Sequence, residues 1–171
     1  MGNITPIDWR RSDQTDVVTE LPKAELVMLL AMRWWVRCLM TGEDPMPRLT
    51  AALTRAGARD AAYSIDGLMG IVARTGQRPV DIRCPRCPAL SEDEAVLLHA
   101  ARLAQIERAD LAERHLRLNL LTSHGAKFAI GPLEGAGMLF LEARMIFGGR
   151  RRSAATQPAW VMPEDCSRAV H

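Results

Sequence analysis

Residues 21–42, LPKAELVMLLAMRWWVRCLMTG, decide how the rest of the chain must be arranged. Pro22 suits a first helical position, strong helix formers follow it, and Gly42 supplies a stop, so the stretch predicts one long helix. On a helical wheel Val27, Leu30, Ala31, Trp34 and Cys38 form one face, and Met28, Met32, Trp35 and Leu39 form another. Arg33 and Arg37 remain as nearly the only polar stripe. A helix apolar almost all round lies at the centre of a domain or is shared with a partner. The competing reading is a membrane span. A run of about 17 residues is the lower limit for crossing a bilayer, and each arginine would cost several kcal/mol deep in lipid. The expectation is therefore a central helix and no transmembrane segment.

The two arginines sit one turn apart and project to the same side. If buried they need carboxylates, for which Asp60, Asp66 and Glu94 are the candidates; if exposed in a pocket they suit an anionic ligand. Trp34 and Trp35 diverge by about 100° on a helix, so one of them is expected at an interface, where tryptophan often anchors binding.

Working outward, residues 1–20 are polar with isolated apolar positions and no helical period, which reads as a flexible N-terminal arm. Downstream, Leu49, Ala52, Leu53 and Ala56 mark a short second helix stopped by Gly57. A third runs from an Asp60 cap through Ile65, Leu68, Met69 and Val72 to Gly76. Ser91 with Glu94 three residues on is a capping box ahead of AVLLHAARLAQI, with a bend expected near Glu107 before ADLAERHLRLNLL. TSHGAKFAIGP is expected to be a loop, with a last helix running from Pro132 to Gly148 and Gly149, in which Gly135 and Gly137 permit close helix approach. No segment alternates as a strand would. The fold expected is all-α, a single-domain bundle of about five to six helices over 21–149, between the arm at 1–20 and a flexible C-terminal tail at 150–171.

Between the third and fourth helices runs QRPVDIRCPRCPAL, which Pro79, Pro85 and Pro88 keep extended on the surface. It carries Cys84 and Cys87. Two thiolates at this spacing can reach one tetrahedral zinc ion, and Cys166 with His171 in the tail are the candidate completing ligands, with Cys38 and His99 as substitutes. Alternatively the pair exchanges with disulfides, although Ser91 begins the helix several residues beyond Cys87, where the helix dipole acts weakly. The third alternative is that the cysteines simply pack at a loop. The string ARTGQRPVDIRCPRCPALSEDEAVLLHA, together with the Arg-containing apolar helix before it, resembles a bacterial family of uncharacterised domains. The resemblance covers the middle of the chain and implies no activity.

Composition narrows the function. Over 171 residues, 48% are hydrophobic and 25% charged, which is ordinary for a folded domain, and a net charge of +2 gives no general attraction to nucleic acid or lipid. The second and third helices follow a helix-turn-helix order, but Asp60 and Asp66 would repel phosphates, so nucleic acid is not the expected partner. Glu92, Asp93 and Glu94 are explained by the helix dipole. His115 and His124 have no nucleophile turn beside them, so no catalytic set is assigned. The start of the chain lacks a secretory pattern, which makes cytoplasmic localisation the expectation. The leading reading is a small non-enzymatic protein that acts through protein–protein contacts, in a regulatory role and including self-association as a homo-oligomer. A zinc-stabilised regulatory module, a thiol redox protein and a helix-turn-helix DNA binder are the alternatives.

Overall fold

The computed structural model describes residues 18–148. Among them, a 3-10 turn at Val18–Glu20 leads into six α-helices: α1 (Lys23–Met40), α2 (Met46–Ala56), α3 (Ala61–Thr75), α4 (Glu92–Gln105), α5 (Ala109–Asn119) and α6 (Ser123–Glu142). The fold is all-α. An isolated antiparallel bridge joins Gly76 to Leu121. Most of both expected tails, including Cys166 and His171, lies outside the described residues. The end of the expected N-terminal arm does not stand free. Val18 is buried, and its N–H donates to the Pro88 carbonyl at 2.8 Å.

α1 is the central helix that its composition requires. Met28, Leu29 and Met32 are fully buried, and α2, α3 and α4 all pack against it. Pro22 occupies the N-cap rather than the first helical position, and Gly42 ends the helix in the left-handed region at φ 71°. α3 lies along α6, while α4 packs on both α5 and α6. The core thus runs from α1 through α3 and α4 to α6. No described helix is long and apolar enough to cross a membrane.

Two boundaries differ from the sequence expectation. TSHGAKFAIGP is not a loop: α6 begins at Ser123, its Gly125 N–H capped by the Thr122 hydroxyl at 3.2 Å, and it continues through Pro132. Proline removes one helical hydrogen bond, but Ala126, Ala129, Leu133, Ala136 and Phe140 keep a single buried face across it. That continuous stripe outweighs the missing bond. The helix also ends at Glu142, short of Gly148. Arg144 takes a left-handed φ of 57° and turns the chain back so that Met145 and Phe147 enter the core. Gln105 holds this return, donating to the Gly137 and Met145 carbonyls at 3.1 and 3.0 Å and accepting the Phe147 N–H at 2.8 Å.

Candidate functional site

The chemistry of this molecule gathers where the extended segment 77–90 crosses α1 and the start of α4. Ser91 begins α4 with a complete capping box: its hydroxyl accepts the Glu94 N–H at 3.1 Å, and the Glu94 carboxylate accepts the Ser91 N–H at 2.9 Å. The same hydroxyl donates to the Asp81 carbonyl at 2.6 Å, so the cap also holds the incoming chain.

Glu94 does much more than cap. Its carboxylate receives Arg33 through Nε at 2.7 Å and Nη2 at 2.8 Å, and also takes the Arg83 N–H at 3.0 Å. Both side chains of this pair are fully buried. Arg33 spends its remaining donors on the loop, Nη1 reaching the Cys87 carbonyl at 2.6 Å and Nη2 the Ala89 carbonyl at 2.8 Å. A buried guanidinium and carboxylate are tolerated only when their polar atoms are satisfied, and here backbone groups of one loop complete the set.

Asp93, the preceding residue, makes the second staple. It receives Arg78 in a two-pronged contact at 2.8 and 2.6 Å and accepts the Asp81 N–H at 2.7 Å. Burial alone would raise the Asp93 carboxyl, but the Arg78 hydrogen bonds, the Asp81 N–H and the Arg78 charge together hold it below its ordinary value. Of the acidic cluster, Glu92 alone faces solvent. The helix dipole therefore explains only part of this cluster. The missing signal was positional, since Asp93 and Glu94 share the register of buried Leu97, Leu98 and Ala101.

The segment pinned in this way carries the thiols. Cys84, Pro85, Arg86 and Cys87 form a tight turn closed by the Cys87 N–H on the Cys84 carbonyl at 3.0 Å. Cys84 is exposed and Cys87 half-buried. The Ala89 N–H and then the Arg83 guanidinium, whose Nη1 lies 3.8 Å from Cys87 Sγ, outweigh burial and hold the Cys87 thiol below its ordinary value. Cys38 is the contrast, a buried thiol that desolvation pushes up.

The zinc substitutes do not approach the pair. Cys38 is buried in α1 near the charges of Glu43, Asp44 and Arg48, and His99 turns toward His115 on α5, their ring centroids 4.7 Å apart. Among the described residues no three His, Cys, Asp or Glu side chains gather as metal ligands would. Cys166 and His171 lie outside the described residues. His115 is pushed down to about 4 by burial and then by the neighbouring His99.

Arg33 and Arg37 part company despite sharing one stripe: Arg33 is fully buried, whereas Arg37 is half-buried toward the end of α1. Asp66, a candidate partner for the arginines, instead accepts the Trp35 indole N–H at 2.7 Å. Trp34 faces the other way, with the Arg48 guanidinium 5.0 Å from its ring centre.

Beside the stapled segment opens an apolar groove of about 570 Å³. Trp35, Val36, Leu39 and Met40 form its α1 wall, and Met69 and Val72 its α3 wall. The extended segment closes it with Val80 and Ile82. Leu39 is 49% exposed and Met40 77%. Arg78, half-exposed above its contact with Asp93, is the only charged side chain among the described residues of the lining. α3, the would-be recognition helix, packs along α6 with Ala61, Ala62, Ile65 and Leu68 buried. Comparison of the chain with protein-family models, with curated proteins and with solved structures finds no match.

Proposed function

We propose that this protein is a binding module, which holds an amphipathic segment of a partner protein in the groove between α1, α3 and residues 76–82. The observation that carries this is the groove itself, a concave apolar surface whose aliphatic walls stay open to solvent at Leu39 and Met40. An exposed apolar surface in a well-packed protein marks a binding site. Arg78 sets the polarity of the ligand. Among the described lining residues Arg78 is the one charged side chain, and although it already holds Asp93 it stays half-exposed, so the complementary segment carries aliphatic side chains and an acidic residue beside them. The two staples of α4 support the reading, because they hold the third wall of the groove in place before any partner arrives, and a preformed surface binds with less ordering cost.

The test is methyl NMR of the full chain, titrated with two designed helical peptides that share one leucine pattern and carry either glutamate or lysine on the flank. Binding in the groove moves the Met40, Met69, Val72 and Val80 methyls, with the glutamate peptide about tenfold the tighter, equivalent to about 1.4 kcal/mol. Met40→Asp then abolishes the shifts. Shifts confined to the exposed face of α6 around Phe128 and Met138, or equal affinity for both peptides, would overturn the proposal. Sedimentation of the protein alone gives the other occupant: concentration-dependent dimers that Met40→Asp disrupts would assign the groove to a second copy of the chain. Displacement of the peptide by a fatty acid at stoichiometric concentration would assign it to a lipid.

A further inference from the structure

The turn that Arg33 anchors carries two thiols at its ends and points hydrogen-bond donors at one of them. Its closing bond, Cys87 N–H to Cys84 carbonyl at 3.0 Å, is that of a four-residue turn, and such turns bring their end Cα atoms within about 7 Å, the reach of a disulfide. The Ala89 N–H and Arg83 Nη1 converge on Cys87 Sγ. On the other side the Cys87 and Ala89 carbonyls are fixed by Arg33, so the backbone that presents both the sulfur and the Ala89 N–H is held in place. Cys84, at the open end of the turn, is exposed.

We propose that Cys84 and Cys87 form a dithiol–disulfide exchange site, with Cys87 as the attacking sulfur, Cys84 as the resolving thiol and a low-molecular-weight disulfide such as oxidised glutathione as the oxidant. In the first step the Cys87 thiolate attacks one sulfur of the small disulfide. A mixed disulfide forms on Cys87, the small molecule's own S–S bond breaks, and one thiolate leaves and takes up a proton. In the second step Cys84 loses its proton to solvent and attacks Cys87 Sγ, displacing the second small thiol. Two electrons pass from the cysteine pair to the small disulfide, which leaves as two thiols. The donors around Cys87 also set the direction of the equilibrium. They favour a thiolate and lose that partner in the disulfide, so they stabilise the reduced form and make the pair easy to re-reduce. Nothing in this scheme depends on the groove.

The test uses the full chain carrying Cys166→Ser, so that the thiols under study are those of the turn and buried Cys38. Incubation with oxidised glutathione should give a protein lighter by two hydrogens, with Cys84 and Cys87 joined in one peptide on mass spectrometry. Adding Cys84→Ser should trap glutathione on Cys87. That variant should form the mixed disulfide about tenfold faster at neutral pH than the Cys87→Ser variant, which keeps only Cys84 in the turn, because the rate follows thiolate content. Arg83→Gln in the Cys84→Ser protein should slow the reaction about threefold, a change that a merely structural arginine would not produce in a variant with an unchanged circular dichroism spectrum. Faster reaction at Cys84, no intramolecular disulfide, or stoichiometric zinc retained by the purified protein and protecting both thiols would each overturn the proposal, the last in favour of a metal site.

Discussion

Between α1 and α4 the molecule buries a guanidinium and two carboxylates, whereas along the face where α3 meets α6 it closes the gap by leaving side chains out. In the first region every charge is matched: Glu94 to Arg33 and the Arg83 and Ser91 amides, Asp93 to Arg78 and the Asp81 amide. In the second, a methyl group at Gly125 would collide with the Thr75 side chain, and one at Gly135 would come within 2.9 Å of the Ser64 hydroxyl. The first region gains direction from its polar atoms, since only one path of the 77–90 segment satisfies them all. The second gains proximity, and any helix of similar shape would fit. The two regions should therefore fail in different ways.

The largest effect is expected at Glu94. Glu94→Gln leaves Arg33 charged and buried, and removing one partner of such a pair typically costs about 3–5 kcal/mol, which urea denaturation would read directly. The double variant Arg33→Met, Glu94→Leu sharpens the comparison. Many buried pairs can be replaced by apolar residues with little loss. Here the replacement bares the carbonyls of Cys87 and Ala89 and the amides of Arg83 and Ser91, and unsatisfied buried groups cost about 1–3 kcal/mol each. The double variant should thus stay destabilised by more than about 2 kcal/mol, with amides 81–90 exchanging faster than those of α6. Full recovery of the wild-type midpoint would mean that the pair is an ordinary one and not the fastening of the loop.

How much of this could be read beforehand differs between the regions for a physical reason. The capping box at Ser91 and Glu94, the central place of α1 and the stop at Gly42 are local patterns, and local patterns are written in sequence. A buried partner for the arginine stripe could also be inferred, because a charge in an apolar helix must be answered, and Glu94 was among the candidates. That Glu94 would also hold the Arg83 amide of the loop depends on where the chain returns in space, which no spacing encodes. The start of α6 was hidden for the opposite reason. A strong local signal, Pro132, masked the weaker but longer stripe of Ala126, Ala129, Leu133 and Phe140 that runs through it.

The seam of small residues supplies the next contrast, a pair of glycine substitutions on its two sides. Gly125→Ala must displace the β-branched Thr75, and overpacking of this kind costs about 1–3 kcal/mol. Gly67 faces the same seam from α3, but a methyl there meets the Pro132 ring at 3.7 Å, an ordinary van der Waals contact. Gly67→Ala should raise stability by about 0.5–1 kcal/mol through helix propensity. Thermal denaturation of the two variants should move in opposite directions. If both stabilise, the α3–α6 contact is looser than its geometry implies.

The smallest effect separates the charged region from the rest of the fold by pH. His115, on α5 facing His99 of α4, is pushed down from an ordinary 6.5 to about 4, so the unfolded chain binds a proton over that interval and the folded one does not. Stability then rises with pH through this window, is complete above 6.5, and falls as the solution is acidified toward 4. The ring is only half-buried and water screens it, so the loss is on the order of 1 kcal/mol rather than the full value of such a shift. Asp93 acts in a separate window. Its folded value lies below 3.8, so its contribution is present above that pH and disappears below it, when the carboxylate that holds Arg78 and Asp81 is protonated. Urea midpoints measured across pH should therefore fall in two stages. His115→Gln should shrink the first stage to what His99 contributes, which burial and then Arg102 also hold below its ordinary value, and leave the second, while Asp93→Asn should remove the second and leave the first. A single stage, unaffected by His115→Gln, would mean that the histidine pair is solvated and that the charged staples of α4 govern the acid response alone.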